Sequence, residues 1–283
     1  MSETIDLAHL QQWVGRRESR EQHLDPFPAR ALAGLLDRAD PPGEGDALPL
    51  PWHWLYFLDA PSRAGTGADG HPKRGGFLPP VPLPRRMWAA GELSVQTPLR
   101  LGRAARKTST VRSVELKQGK AGALVFVTVA HELEQGGRAC LSELQHIVYR
   151  EAPSAPAPLP SGETGPANAA WQSALTPDAV MLFRYSALSY NGHRIHYDRD
   201  YATREEFYPG LVVHGPLLAT LLLELAARER PEAQPRHFSF RAMRPAFDGE
   251  PLRLHGQPEG AGAALWTTDA QGHIGMSAQL VWG

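Results

Sequence analysis

The sequence predicts an α+β fold built twice over, with two antiparallel sheets each wrapped on a central helix. Three observations carry that expectation. Strand-like runs come in two sets of four: residues 91–101, 108–118, 123–135 and 138–150, then 237–247, 251–256, 264–269 and 273–282. Helical material precedes each set, over 4–22 and 29–38 in the first half and 216–228 in the second. The sets also answer each other: ALVFVTVAHELEQGGRACLSELQHIVY in the first half corresponds to ALWTTDAQGHIGMSAQLVW in the second.

Each element has a local reason. Leu7, Leu10, Trp13 and Val14 recur at helical spacing within 4–22, and Leu32, Leu35 and Leu36 share one face of 29–38 until Pro41-Pro42-Gly43 stops it. The aromatic run LPLPWHWLYFL, 48–58, reads as an extended core segment. Residues 60–84 are rich in Gly and Pro, and a loop this long inside a compact domain is functional or mobile. The first four strand runs are closed by Gly102, by Gly119-Lys120-Ala121-Gly122 and by Gly136-Gly137. Residues 151–168, EAPSAPAPLPSGETGPAN, have the composition of an extended linker, with an ordered surface loop as the alternative. In the second half, 177–189 reads as a strand, and Thr203 with Glu206 as a helix start. The long helix from Pro216 to Arg228 has proline in its first turn, where no amide is missed, and is apolar on nearly every face, so sheet should wrap it. Sheets joined edge to edge protect their edge strands. The expected architecture is a double hot-dog: an N-terminal half over 1–150, a linker over 151–172 and a C-terminal half over 173–283.

The whole-chain numbers exclude several classes. A formal net charge of −1 argues against a general nucleic-acid binder, which needs a concentrated basic face. The single cysteine, Cys140, forbids an intrachain disulfide and sits in a strand run as a small buried hydrophobe. The N-terminal MSETIDLAHLQQWVGRRESREQ has no apolar core and carries Glu3, Asp6 and Glu18, unlike a secretory or mitochondrial leader. The longest apolar stretch, 217–227, is too short for a bilayer and contains Glu224. A cytoplasmic location is expected, with no membrane and no nucleic-acid partner. No P-loop, dinucleotide glycine fingerprint or nucleophile elbow is present.

The chemistry concentrates between Tyr185 and Pro216. There the chain reads Asn191-Gly192-His193-Arg194-Ile195-His196-Tyr197-Asp198 and then Val213-His214-Gly215-Pro216. Two histidines three residues apart, a carboxamide five residues before the second, and a Gly-Pro helix start make a compact polar site on an apolar scaffold. Structural histidines and a zinc site are the competing readings; a third ligand is clear only as far as His214, and the spacing is no strong metal signature, so no metal is expected. Asp198 orients a histidine or caps a turn.

The segments SALSYNGHRIHYDRDYA and YPGLVVHGPL resemble the MaoC-like (R)-specific enoyl-thioester hydratase family. The closer likeness is to its branch of hydroxyacyl-thioester dehydratases and mesaconyl-CoA and itaconyl-CoA hydratases. PLPRRMWAAGELSVQTPLRLG, LVFVTVAHELEQGG and SELQHIVYR resemble the N-terminal half of that branch, so the likeness covers most of the chain. The common hydratase motif runs Gly-Asp, any residue, Asn-Pro, aliphatic, His. Counted back from His196, its Asp falls on Asn191, its Asn-Pro on His193-Arg194 and its Gly on Tyr190. An amide cannot accept the proton a carboxylate would take; the Asn form resembles the pattern of the closer branch, a variation rather than a dead site, and leaves His196 as the main proton carrier.

Hydration of an α,β-unsaturated thioester needs a base for the attacking water, an acid for the α-carbon and donors for the developing enolate oxygen. The resemblance and this chemistry assign His196 as acid/base, Asn191 to orient water and imidazole, and the Gly215 amide, at a helix N-terminus, to the thioester oxygen. His193 binds substrate or positions His196. Arg85 and Arg86 would meet CoA phosphates or a substrate carboxylate, or flank the strand as a solvated pair. No separate cofactor is needed, because CoA arrives on the substrate. The expected function is reversible hydration of a short, branched or dicarboxylic enoyl-CoA of the itaconyl or mesaconyl type. The alternatives are a 3-hydroxyacyl-thioester dehydratase of fatty-acid metabolism, a non-catalytic acyl-CoA-binding hot-dog and a hot-dog thioesterase. The partner is the acyl-CoA, and the resemblance also allows a homodimer.

Overall fold

The computed structural model describes residues 5–119, 122–153, 155–159 and 161–283 of the chain. Thr4, at the start of the first predicted helix, and the turn residues Lys120 and Ala121 lie outside them. The first half contains α1 (Leu7–Gln11), β1 (Arg17–His23), α2 (Pro26–Leu35), β2 (Arg85–Val95), β3 (Ala104–Gly119), β4 (Gly122–Gln135) and β5 (Arg138–Arg150). The second contains β6 (Trp171–Leu175), α3 (Ala179–Leu188), α4 (Gly215–Glu229), β7 (Pro235–Ala242), β8 (Leu252–Glu259), β9 (Gly262–Thr268) and β10 (Ile274–Trp282).

All ten strands join one antiparallel sheet, in the order β1-β3-β4-β5-β2-β7-β10-β9-β8-β6. Its centre is the β2–β7 pair, where Ala90 to Ser94 run against Arg241 to His237. The two sets of strands therefore meet edge to edge. Gly91 lies opposite Phe240 there, and a Cβ on it would come within 2.5 Å of the phenylalanine ring. The glycine lets the aromatic ring cross the seam.

Helix α4 is wrapped by β6, β8, β9 and β10. Leu217, Leu218, Leu221, Leu222 and Leu225 are buried around its circumference. Each such side chain contributes about 1.5–3 kcal/mol of burial. One apolar cluster runs from α2 through Leu93, Leu133 and Leu141 to α4 and β8–β10. Cys140 is buried within it. Core and sheet together are the α+β hot-dog architecture.

Several elements differ from the sequence expectation. Only 7–11 of the predicted helix 4–22 is helical; Gly15, at φ 85°, turns the chain, and Arg17–His23 becomes an edge strand on β3. That strand is mostly polar and exposed, so no apolar alternation marks it. The 48–58 segment is a 3-10 turn at Trp52–Leu55 rather than extended, though Trp52, Leu55 and Tyr56 are buried as core. Strand β2 starts at Arg85 and stops before Thr97-Pro98, because proline has no amide for the ladder. The 177–189 run is a helix, capped by Asp178, whose side chain accepts from the Met181 amide at 2.7 Å. Tyr201–Glu205 is a single wide turn, in which the Thr203 hydroxyl donates to the Arg199 carbonyl instead of capping. Residues 161–165 are docked: Thr164 bridges His273, and Ile274 donates to the Glu163 carbonyl.

Candidate active site

The Asn191–His196 segment is a tight polar turn after α3. Tyr190 has φ 49°, and the Asn191 side-chain oxygen accepts from the His193 amide at 3.0 Å. Asn191 therefore locks the turn first of all; what it can still offer a ligand is its NH2, a donor. Asp198 is a cap and an ion-pair partner: it accepts from the Tyr201 amide at 3.1 Å and binds Arg194 at 2.7 Å.

His196 is 7% exposed. A carbonyl can only accept, so its Nδ1 donates to the Val212 oxygen at 2.7 Å. Its Nε2 then carries the lone pair, has no protein partner among the described residues, and belongs to a cavity-lining side chain. Burial is the main force that pushes its pKa down, against the Val212 bond, to about 4. At neutral pH this is a neutral base with a fixed tautomer.

Its ring stacks on His214 at 3.7 Å between centroids, and His214 Nε2 meets the Ser186 hydroxyl at 2.8 Å. His193 stands edge-on to His196 at 5.5 Å, and His71 packs against His193 at 4.0 Å. Burial first, then neighbouring imidazoles, holds His193 and His214 well below the ordinary histidine range. The Gly215 amide begins α4 with no protein acceptor among the described residues, and Gly215 lines the same cavity. Helix dipole and open amide favour an oxyanion there.

The structure separates the two predicted arginines. Arg85 Nε donates to Glu206 at 2.5 Å, its guanidinium also reaches the Glu206 carbonyl, and it lies 4.9 Å over Tyr208. It is neither a solvated flank nor a free anchor; it ties β2 to the turn before α4. Arg86 has no carboxylate partner among the described residues and lines the cavity, acting electrostatically on His71, His193 and Arg74.

The cavity is large, about 1680 Å³, and takes residues from both halves. Trp54 and Trp88 line it with their rings 4.8 Å apart, and Phe240 packs on Trp88 at 5.9 Å. The Trp88 carbonyl lies 3.9 Å from where a Gly215 Cβ would be, so the β2 backbone runs beside the start of α4.

Two groups escaped the sequence reading. His53 and Glu143 form a buried pair at 2.9 Å, with the Trp54 indole donating to the same carboxylate at 3.0 Å. Asp69 and His71 come from the 60–84 loop; the only sequence sign was that loop's length. Asp69, His71 and His193 bring three donor atoms within 4.8 Å of one another, a spacing that suits a metal ion. Arg86 and Arg74 sit close by, however, and their field opposes a cation.

A hot-dog sheet wrapped on α4, with a buried histidine and an open helix-start amide on one cavity, fits the thioester hydratase and dehydratase class. Residues 51–248 match the model of the family described as hydroxyacyl-thioester dehydratase type 2. The mesaconyl-C(4)-CoA hydratase of Chloroflexus aurantiacus is 44% identical over 273 residues, which is 96% of this chain and 97% of that protein. The mitochondrial hydroxyacyl-thioester dehydratase type 2 of Schizosaccharomyces pombe is 28% identical over 72% of this chain and 75% of its own. The chain belongs to the hydroxyacyl-thioester dehydratase type 2 family. Among solved structures, HtdX from Mycobacterium tuberculosis superposes with a TM-score of 0.67 at 17% identity, covering 93% of this chain and 98% of its own, and shares the fold. A MaoC-like dehydratase shares it too, with a TM-score of 0.70 at 14% identity over 95% and 98%.

Proposed function

We propose that this protein adds water reversibly to a short enoyl-CoA carrying a second carboxylate or a branch, of the mesaconyl or itaconyl type. The observation that carries the reading is His196: buried, neutral, held by Val212 through Nδ1, its Nε2 without a protein partner among the described residues, on a cavity that Gly215 also lines. Nε2 takes a proton from water as oxygen bonds to the β-carbon. The π pair moves toward the thioester oxygen, where the Gly215 amide meets the charge. The imidazolium then returns the proton to the α-carbon, so the cycle closes with no net gain or loss. Asn191 holds the turn and offers N–H donors, and His193 spaces the imidazoles.

The dicarboxylic preference is supported by Arg86, a cation on the cavity with no carboxylate partner among the described residues, and by the activity named for the Chloroflexus relative. The short acyl group is supported by the same relative, which is named for a mesaconyl thioester. CoA belongs to the substrate, so no separate cofactor is invoked.

The test is a panel of mesaconyl-CoA, itaconyl-CoA and crotonyl-CoA, read by mass spectrometry for gain of one water. Hydration of a carboxylated substrate, lost in His196→Ala, supports the proposal. Hydration of only crotonyl-CoA or longer chains assigns the protein to fatty-acid metabolism. Tight binding without turnover makes it a binding protein, and release of free thiol a thioesterase.

A further inference from the structure

Where the common hydratase motif has an aspartate, this chain has Asn191, which spends its oxygen on the turn. A carboxylate nevertheless reaches the imidazoles from the other half of the chain. The loop around Thr66 to Pro72 is closed by a bridge between those two residues and is laid directly on the motif. The Arg194 amide donates to the Asp69 carbonyl at 2.9 Å, and the Arg194 guanidinium to the Ala68 carbonyl at 3.2 Å. Gly70, at φ +89°, lies so close to Gly192 that a Cβ there would fall 1.7 Å from its carbonyl oxygen. Only glycine at 70 permits this seating.

Seated in this way, Asp69 accepts twice from His71: from the amide at 3.0 Å and from Nδ1 at 3.0 Å. An ionised carboxylate cannot donate, so Nδ1 carries the hydrogen and Nε2 carries the lone pair. His71 lines the cavity and packs on His193. Burial and Arg86 keep the His71 ring below the usual histidine range against the pull of Asp69, so it rests neutral. Burial acts to raise the Asp69 carboxyl, but its bonds to His71 outweigh this and hold it well below the carboxylate range.

We infer that Asp69 and His71 are a water-positioning pair for hydration, supplied by the first half to a site whose base comes from the second. His71 Nε2 accepts the water hydrogen that His196 does not take and stays neutral through the cycle; in the reverse direction it steadies the leaving hydroxyl. Asp69 sets the tautomer. The inference rests on the hydratase reading above.

The test uses the full chain and His71→Asn, His71→Gln and Asp69→Asn, with whichever thioester the wild type hydrates. Glutamine places an acceptor near Nε2, whereas asparagine keeps only the contact near Nδ1. Asp69→Asn leaves one acceptor where two hydrogens arrive, which favours the wrong tautomer. H71N and D69N should each lower kcat about a hundredfold with KM within roughly threefold, and H71Q should retain about a tenth of kcat or more. Thermal melting of all three variants should stay near wild type. Near-normal kcat in H71N overturns the inference. So does an H71Q no better than H71N, or a loss of kcat that follows melting and KM, since each marks a structural role. A wild type that hydrates no thioester defeats the proposed function itself, and the inference with it.

Discussion

His196 donates its Nδ1 hydrogen to the Val212 carbonyl across 2.7 Å, which leaves Nε2 as the acceptor in the cavity. The base is thereby fixed in one tautomer, and burial keeps it neutral down to about pH 4. The acidic limb of kcat/KM should therefore fall near pH 4 to 5, well below the value of an ordinary histidine. A pH-rate profile on the preferred substrate checks this. A limb near 6.5 would show that His196 is not the base.

The same burial links stability to pH. The folded-state pKa of His196 is depressed to about 4 from 6.5, so between these values the unfolded chain binds a proton that the folded chain does not. Stability from this group is complete above the unfolded value and is lost as pH falls through the folded one, by about 3 kcal/mol in all. His71, His193 and His214 are shifted in the same direction and steepen the loss. Urea midpoints should fall between pH 6.5 and 4, and the fall should be shallower in His196→Gln.

Arg86 should act on the substrate and Arg85 on the fold. Arg86→Gln should raise KM for a carboxylated enoyl-CoA roughly ten- to hundredfold and leave crotonyl-CoA within a few fold. Equal losses on both substrates would move Arg86 from the acyl carboxylate to the CoA moiety.

The Arg85 and Glu206 side chains are only 9% and 15% exposed. Removing one partner strands a charge, so Glu206→Gln should cost about 3–5 kcal/mol of stability. The double variant Arg85→Met, Glu206→Leu should recover part of that loss. Denaturant unfolding of both proteins decides the point, and equal stability of E206Q and wild type would contradict it.

If the Asp69–His71–His193 group works without a metal, EDTA followed by desalting should leave kcat unchanged. Loss on chelation, restored by added zinc, would make that group a metal centre and displace its water-positioning role.

Most of the sheet and all of α4 were legible in the sequence, because buried strands and a buried helix write their periods into the order of apolar residues. Asn191, His193 and His196 share one short turn and Gly215 starts α4 soon after, so their meeting on one cavity follows from closeness in the chain. Where exposure erased the period, as in polar β1, or a cap outweighed strand-like composition, as with Asp178 before α3, the local pattern misled. Tertiary structure alone decided that Arg85 is tied to Glu206 while Arg86, on the lining of the same cavity, has no carboxylate partner among the described residues. It alone also brought Asp69 and His71 to His193: their meeting depends on Gly70 seating against Gly192, a contact between backbones far apart in the chain that leaves no periodic trace.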